Sequence, residues 1–360
     1  MKARRLQGHK KELTCCIASS ARPGLIASAA EDGCICWHDL RCEDVLYAID
    51  VGRGSISSLC FKGENEDVIC ASAGTTIACL DVRLAPSWKP LETYDHNKEE
   101  INQIAFSSKS YFLASADDTG DVKIIDTRQQ CLYKTLRAVH TSICSTVQFL
   151  SWKPWTAITG GLDSILALWD FSKGRAFDVI NYGLPNLDGR VSSSGAGQCY
   201  NPAFVHSIAI PEIEILPGLE RVCAVAKGDG VIDVIKLEHE PSSTKSSCSS
   251  KKSVPKNLSI GFGKRVQLDY TLGGHTAAVS CVSFSKFGEK GKFLISGGND
   301  ASIKLWNWSK QFHDAPSTCD RDLILSIDLK RKVNWLCTTP DLENLIVCDT
   351  SKVLKVYTVS

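Results

Sequence analysis

One phrase recurs along this chain: a short apolar strand, small residues, an acidic turn, and an alternating strand that ends on an aromatic or apolar residue. Its clearest copies, Phe293–Asn307 and Thr156–Asp170, align without a gap. They share a Gly-Gly pair, an aspartate (Asp300, Asp163) and a tryptophan (Trp306, Trp169). More degenerate copies run over Leu25–Asp39, Val68–Asp81, Phe112–Asp126, Val222–Lys236 and Leu345–Thr358. Repetition on this scale means one supersecondary unit stacked on copies of itself, because a single copy cannot bury its apolar face alone.

The spacing narrows the unit. A histidine precedes the last position of the alternating strand by 29 residues in four copies (His9, His96, His140, His206) and by 31 in a fifth (His275). The first four copies end at 39, 81, 126 and 170, steps that match a four-stranded propeller blade. The chain therefore reads as all-β: a single seven-bladed β-propeller over 1–360. The expected blades cover 8–43, 49–87, 94–133, 138–176, 201–238, 268–310 and 324–360 plus 2–7. The seventh copy stops after its third strand, so residues 2–7 are expected to close the ring as its outer strand. That pairing would cover an edge that otherwise invites aggregation. Two segments break the rhythm and read as flexible inserts, 184–198 and 238–258. The second holds four lysines and no acid between 241 and 258.

Composition excludes several classes. A formal charge of +1 provides no field for gathering nucleic acid or anionic membrane, so no direct nucleic-acid partner and no membrane are expected. No apolar run reaches the length of a membrane span, which points to cytoplasm or nucleus. The 17 cysteines are odd in number and lack zinc-knuckle spacing. Most lie in β-branched runs, where a thiol acts as a small hydrophobe, so no metal ligands and no cofactor are expected.

Gly8-His9 and Gly274-His275, with Trp169-Asp170 and Trp306-Asn307, resemble the signatures of the WD-repeat family. The resemblance spans essentially the whole chain and implies a docking platform without an active site. It also implies a structural brace in each regular blade: His275, Ser296, Asp300 and Trp306; His9, Ser28 and Asp32; and His140, Thr159, Asp163 and Trp169. On paper these are Ser-His-Asp sets of hydrolase type. A catalytic set is needed once, whereas these recur, so no catalytic residue is expected. Degenerate copies put His38, Leu80, Ile125, Ile235 and Tyr357 where tryptophan is usual. His206 aligns either as a brace histidine or with Asn102 on the inner strand.

Two surfaces are candidates for partners. The upper channel mouth would be ringed by Thr14, Ser57, Asn102, Ser145, His206, Ser280 and Asn334, beside Trp335, which is either an aromatic anchor or core. Acids including Glu99, Glu100, Asp117, Asp118 and Asp121 cluster on that face, which would favour a basic client peptide. On the lower face, Leu113–Arg128 resembles the box by which some WD-repeat proteins dock onto the DNA-damage-binding adaptor of cullin-four ubiquitin ligases. Its terminal Asp126-x-Arg128 recurs as Asp39-x-Arg41 and Asp81-x-Arg83. These arginines, Arg41, Arg83 and Arg128, can fork onto a partner's acceptors or pair within their own blades. The resemblance thus implies a protein-interaction scaffold that acts as a substrate receptor of a cullin-four ligase. The alternative is a ligase-independent adaptor in a chromatin or ribonucleoprotein complex that binds a basic peptide on the upper face.

Overall fold

The computed structural model describes residues 3–42, 45–52, 54–63, 65–84, 89–107, 109–184, 199–211, 221–239, 260–287, 291–312, 322–340 and 343–359. Its strands form seven four-stranded antiparallel sheets, each a blade. In blade one the strands are Leu13–Ala18, Leu25–Ala30, Cys34–Asp39 and Val45–Asp50, in spatial order from the inner strand outward. Blades two to six repeat this meander with inner strands Ile56–Lys62, Ile101–Ser107, Cys144–Phe149, Val205–Ala209 and Val279–Phe284.

Blade seven is assembled from both ends of the chain. Val333–Thr338, Asn344–Asp349 and Leu354–Thr358 are completed by Arg4–Leu6, whose Leu6 pairs with Leu354 and Arg4 with Val356. Leu6 is buried against Leu354, Val356 and Leu13. The expected closing strand is present.

Side-chain burial explains why these sequences settle as they do. Second strands such as Phe112–Asp117 and Thr156–Gly161 are buried at every position, because each lies between two neighbouring blades. Outer strands alternate, as in Leu323–Asp328, since one face meets solvent. Buried apolar residues of the described chain gather into one cluster per seam between blades. The seventh-to-first seam has its own, with Cys16 and Ile26 against Ile346 and Cys348.

The Gly-Gly pairs serve these seams. A Cβ on Gly160 would meet Val205 Cγ1 at 2.2 Å, and one on Gly297 would meet Val333 Cγ1 at 2.5 Å. Each first glycine thus makes room for the opening valine of the next blade. Each second one makes room for the histidine of its own: a Cβ on Gly161 or Gly298 would lie 2.7 Å from the Nδ1 of His140 or His275.

The expected insert at 238–258 begins too early, because the third strand of blade five continues through His239. The rest of that insert, and 185–198 of the other, lie outside the described residues. Every described cysteine is free and most are buried.

Candidate functional site

The meander places the starts of the inner strands and the turns between second and third strands on one face, here called upper. The turns between first and second and between third and outer strands lie on the lower face.

On the upper side each regular blade holds a buried hydrogen-bond chain. In blade six the Trp306 indole N–H donates to Ser296 Oγ at 3.0 Å, and Ser296 Oγ lies 2.8 Å from His275 Nε2. His275 Nδ1 lies 3.1 Å from Asp300, which also accepts the Thr276 backbone N–H at 3.0 Å. The network assigns the tautomer: Ser296 donates to Nε2 and Nδ1–H donates to Asp300. Burial alone would raise the Asp300 carboxyl. The donors around it, His275 foremost, hold it well below the usual carboxylate range. Blade four repeats the chain through Trp169, Thr159, His140 and Asp163, with 2.8 Å from Trp169 to Thr159.

Blade one repeats it with His38 in the tryptophan position. His9 Nδ1 lies 3.2 Å from Asp32 and its Nε2 2.9 Å from Ser28 Oγ, which is 3.1 Å from His38 Nε2. His38 therefore supplies an N–H as the indole does, and its buried Nδ1 has no partner among the described residues. Burial, aided by nearby His9, lowers the His38 imidazole to about 4.

Two histidines of the regular offset do not join braces. In blade three the brace belongs to Asn97: Ser115 Oγ donates to its Oδ1 at 2.8 Å and its Nδ2 donates to Asp117 at 2.9 Å. Asn97, not His96, imitates imidazole by accepting on one side and donating on the other. His206 lies on the inner strand of blade five, at the register shift between Val205 and Ser207. The matching shift carries Asn102 between Ile101 and Gln103, so the inner-strand alignment is the correct one.

That shift recurs in every inner strand, at each of the expected rim residues. It turns their side chains to the neighbouring blade rather than to a ligand. Asn102 Nδ2 donates to Cys144 O at 3.2 Å and Asn334 Nδ2 to Leu13 O at 2.7 Å. Ser57, Ser145 and Ser280 likewise donate to Ile101 O, Val205 O and Val333 O. The expected peptide-gripping ring is thus largely a belt joining consecutive blades. Thr14 and His206 are its exceptions among the described residues, and burial lowers the His206 imidazole.

Trp335 is not an exposed anchor. It is half-buried, packs against the clusters of the first-to-second, seventh-to-first and sixth-to-seventh seams, and lines the central channel of about 600 Å³. The acidic upper quadrant is also thinner than the sequence suggests. Asp117 is fully buried in its brace, and Asp121 is engaged by Lys123 and Arg137. Glu99, Glu100 and Asp118 are exposed, with Asp118 accepting from Asn102 at 2.9 Å.

On the lower face the three arginines differ. Arg41 forks onto Asp39 at 2.7 and 3.0 Å, and Arg83 onto Asp81 at 2.7 and 3.0 Å with Asp67 beyond at 3.3 Å. The Arg83 hydrogen bond pulls the Asp81 carboxyl down to about 2. These two forks are closed within the protein rather than held open for a partner. In blade three Asp126 accepts the backbone N–H groups of Arg128 and Gln129, and the Arg128 guanidinium lies 3.8 Å from the centroid of the Tyr111 ring. Sequence reasoning missed Tyr111, which sits in a turn that no repeat alignment distinguishes. Among the described residues no group of three or more histidine, cysteine or acidic side chains is placed to hold a metal, and no helix is long and apolar enough to cross a membrane.

The family model "WD domain, G-beta repeat" matches residues 2–39, 88–126 and 266–307, in blades one, three and six. Blade four, which carries a complete brace, is not among these matches. The chain is 28% identical to the WD repeat-containing protein 53 homolog of Dictyostelium discoideum, over 99% of this chain and 94% of that protein. It is 26% identical to the GATOR2 complex protein WDR24 of Danio rerio, over 43% of this chain and 20% of that one. The WD40 beta propeller domain of Doa1 superposes with a TM-score of 0.69 at 15% identity, covering 99% of this chain and 96% of that one. Repeats, braces and ring closure agree with these likenesses: the chain carries WD-type repeats, folds as a seven-bladed β-propeller and is similar to WD-repeat proteins over its length.

Proposed function

We propose that this propeller is a non-enzymatic protein-interaction scaffold that serves as a substrate receptor of a cullin-four RING ubiquitin ligase, its lower face meeting the DNA-damage-binding adaptor and its upper face holding a client. The observation that supports this most is the placement of Leu113–Arg128. Its last turn reaches the lower face with the Arg128 guanidinium on an exposed tyrosine rather than forked onto Asp126. A guanidinium held flat on a ring keeps its N–H edges available for a partner's oxygens. The Ser-His-Asp sets support the absence of catalysis, since each recurs with its hydroxyl buried between a histidine and the third-strand donor.

The test is a pull-down with purified adaptor. Wild-type chain retains it, Arg128→Ala loses it, and Arg83→Ala, whose fork is already closed, keeps most of it. No adaptor on the wild-type chain rejects the reading. Exposed Glu99 and Glu100 favour the second reading, a ligase-independent adaptor that takes a basic peptide on the upper face. Unchanged basic-peptide affinity after Glu99→Lys with Glu100→Lys removes it.

A further inference from the structure

Blades three and four meet on the lower face in an aromatic surface. Tyr111, Tyr133 and Trp155 are 37%, 38% and 43% exposed, beside Leu132 at 40%. Tyr133 and Trp155 rest on buried Phe112 and, for Trp155, on buried Phe171, with Phe112 to Tyr133 at 5.0 Å, Phe112 to Trp155 at 5.4 Å, Trp155 to Phe171 at 5.5 Å and Tyr133 to Trp155 at 6.0 Å between centroids. Several large rings held half-open on a rigid base are unusual on a surface with nothing to meet.

The backbone sharpens the point. Tyr111 and Trp155 have φ of 58° and 62°, the left-handed region that bulky residues avoid. Both occupy the residue before a second strand, whose carbonyl accepts from the residue after the third: Thr127 N to Tyr111 O and Phe171 N to Trp155 O. In blade one Leu40 N bonds to the same position, and there the residue is Gly24, with φ 87°. Glycine fits this turn without strain, yet two adjacent blades place large rings there.

The surrounding charge is one-sided. The turns at 107–111, 126–134, 150–156 and 170–177 carry Lys109, Arg128, Lys134, Lys153, Lys173 and Arg175. Their acids are Asp126 and Asp170; both cap the backbone N–H groups of their own turns, and Asp170 also pairs with Lys173 at 2.9 Å, which leaves the other cations in excess. The rings also lean on one another at 41° to 56°, and Arg128 covers the face of Tyr111, which leaves no open parallel stack for bases.

We propose that this patch docks an acidic protein segment whose large apolar side chain seats between Tyr133 and Trp155 while flanking carboxylates meet the cations around them. It rests on the reading of the lower face as a docking surface and names the chemistry of the partner.

Fluorescence anisotropy on the full chain tests it with three labelled probes: a peptide of leucine and phenylalanine flanked by glutamates, the same peptide with lysines for glutamates, and an oligo-thymidine of equal length. The acidic apolar peptide binds at least tenfold tighter than the other two. Trp155→Gly, which installs the residue blade one uses at this turn, and Arg128→Glu each weaken it at least tenfold, while Glu99→Lys on the opposite face leaves it unchanged. Circular dichroism melts check that Trp155→Gly folds; Arg128→Glu, at the surface, decides if it does not. Preference for the lysine peptide or the oligonucleotide, or full affinity in Arg128→Glu, overturns the proposal. A chain that binds the acidic peptide but not the purified adaptor removes the ligase reading and keeps this one. A chain that binds adaptor but no acidic peptide does the reverse.

Discussion

At the residue scale, the braces show that a hydrogen-bonding role is conserved in geometry more than in residue type. Trp306 and His38 both deliver an N–H to a buried serine, and His275 and Asn97 both accept from a serine and donate to an aspartate. Any residue with a donor and an acceptor at the right separation can fill such a site, which is why the histidine offset pointed to His96 and the structure uses its neighbour. The use of histidine for tryptophan has a consequence in acid. An unfolded imidazole titrates near 6.5, whereas burial holds folded His38 at about 4. Above pH 6.5 its contribution to stability is complete. As pH falls from 6.5 to 4 the unfolded chain takes up a proton that the folded one refuses, and stability declines by up to about 3 kcal/mol. His9, lowered chiefly by burial, adds to the same window. The melting temperature of the wild type should therefore drop across this range, and that of His38→Phe, although lower at pH 7, should drop less; equal slopes refute the assignment.

At the scale of strands and blades, the pattern of small residues carries the packing. Gly160 and Gly297 are in the second strands because the first valine of the next blade occupies the space of their missing side chains. Gly297→Ala should cost about 1–3 kcal/mol in urea unfolding, as overpacking does. Because its clash is with Val333, the double variant with Val333→Ala should lose less than the sum of the two single variants. Strict additivity would place the strain elsewhere. The shift in each inner strand belongs to this scale too. It was not legible in the sequence, since a two-residue period predicts alternation and a bulge is visible only where the partner strand is known.

Across the whole molecule, stability depends on one short strand. Arg4–Leu6 carries the outer edge of blade seven, and Leu6, 2% exposed, joins the cluster of the closing seam. Leu6→Ala should lower stability by about 2–3 kcal/mol. Hydrogen exchange should show the effect first in Leu354–Thr358, which pairs with that strand; uniform loss of protection around the ring would mean the closure is not the weak point.

The fold was open to reading because its determinants are periodic and local. Seven copies of a phrase, a blade's length between them and a leftover strand at one end leave few ways to bury the apolar positions other than a closed ring. The brace residues His9, Asp32, His140 and His275 were legible for the same reason, being repeated. What remains free for a partner was not. Asn334 bonds to Leu13 from the opposite end of the chain, Arg41 and Arg83 are closed by their own aspartates, and the rings of Tyr133 and Trp155 converge from separate blades. Whether a polar or aromatic group is spent or available depends on which distant segment the closed ring brings beside it, and one repeat alone does not carry that information.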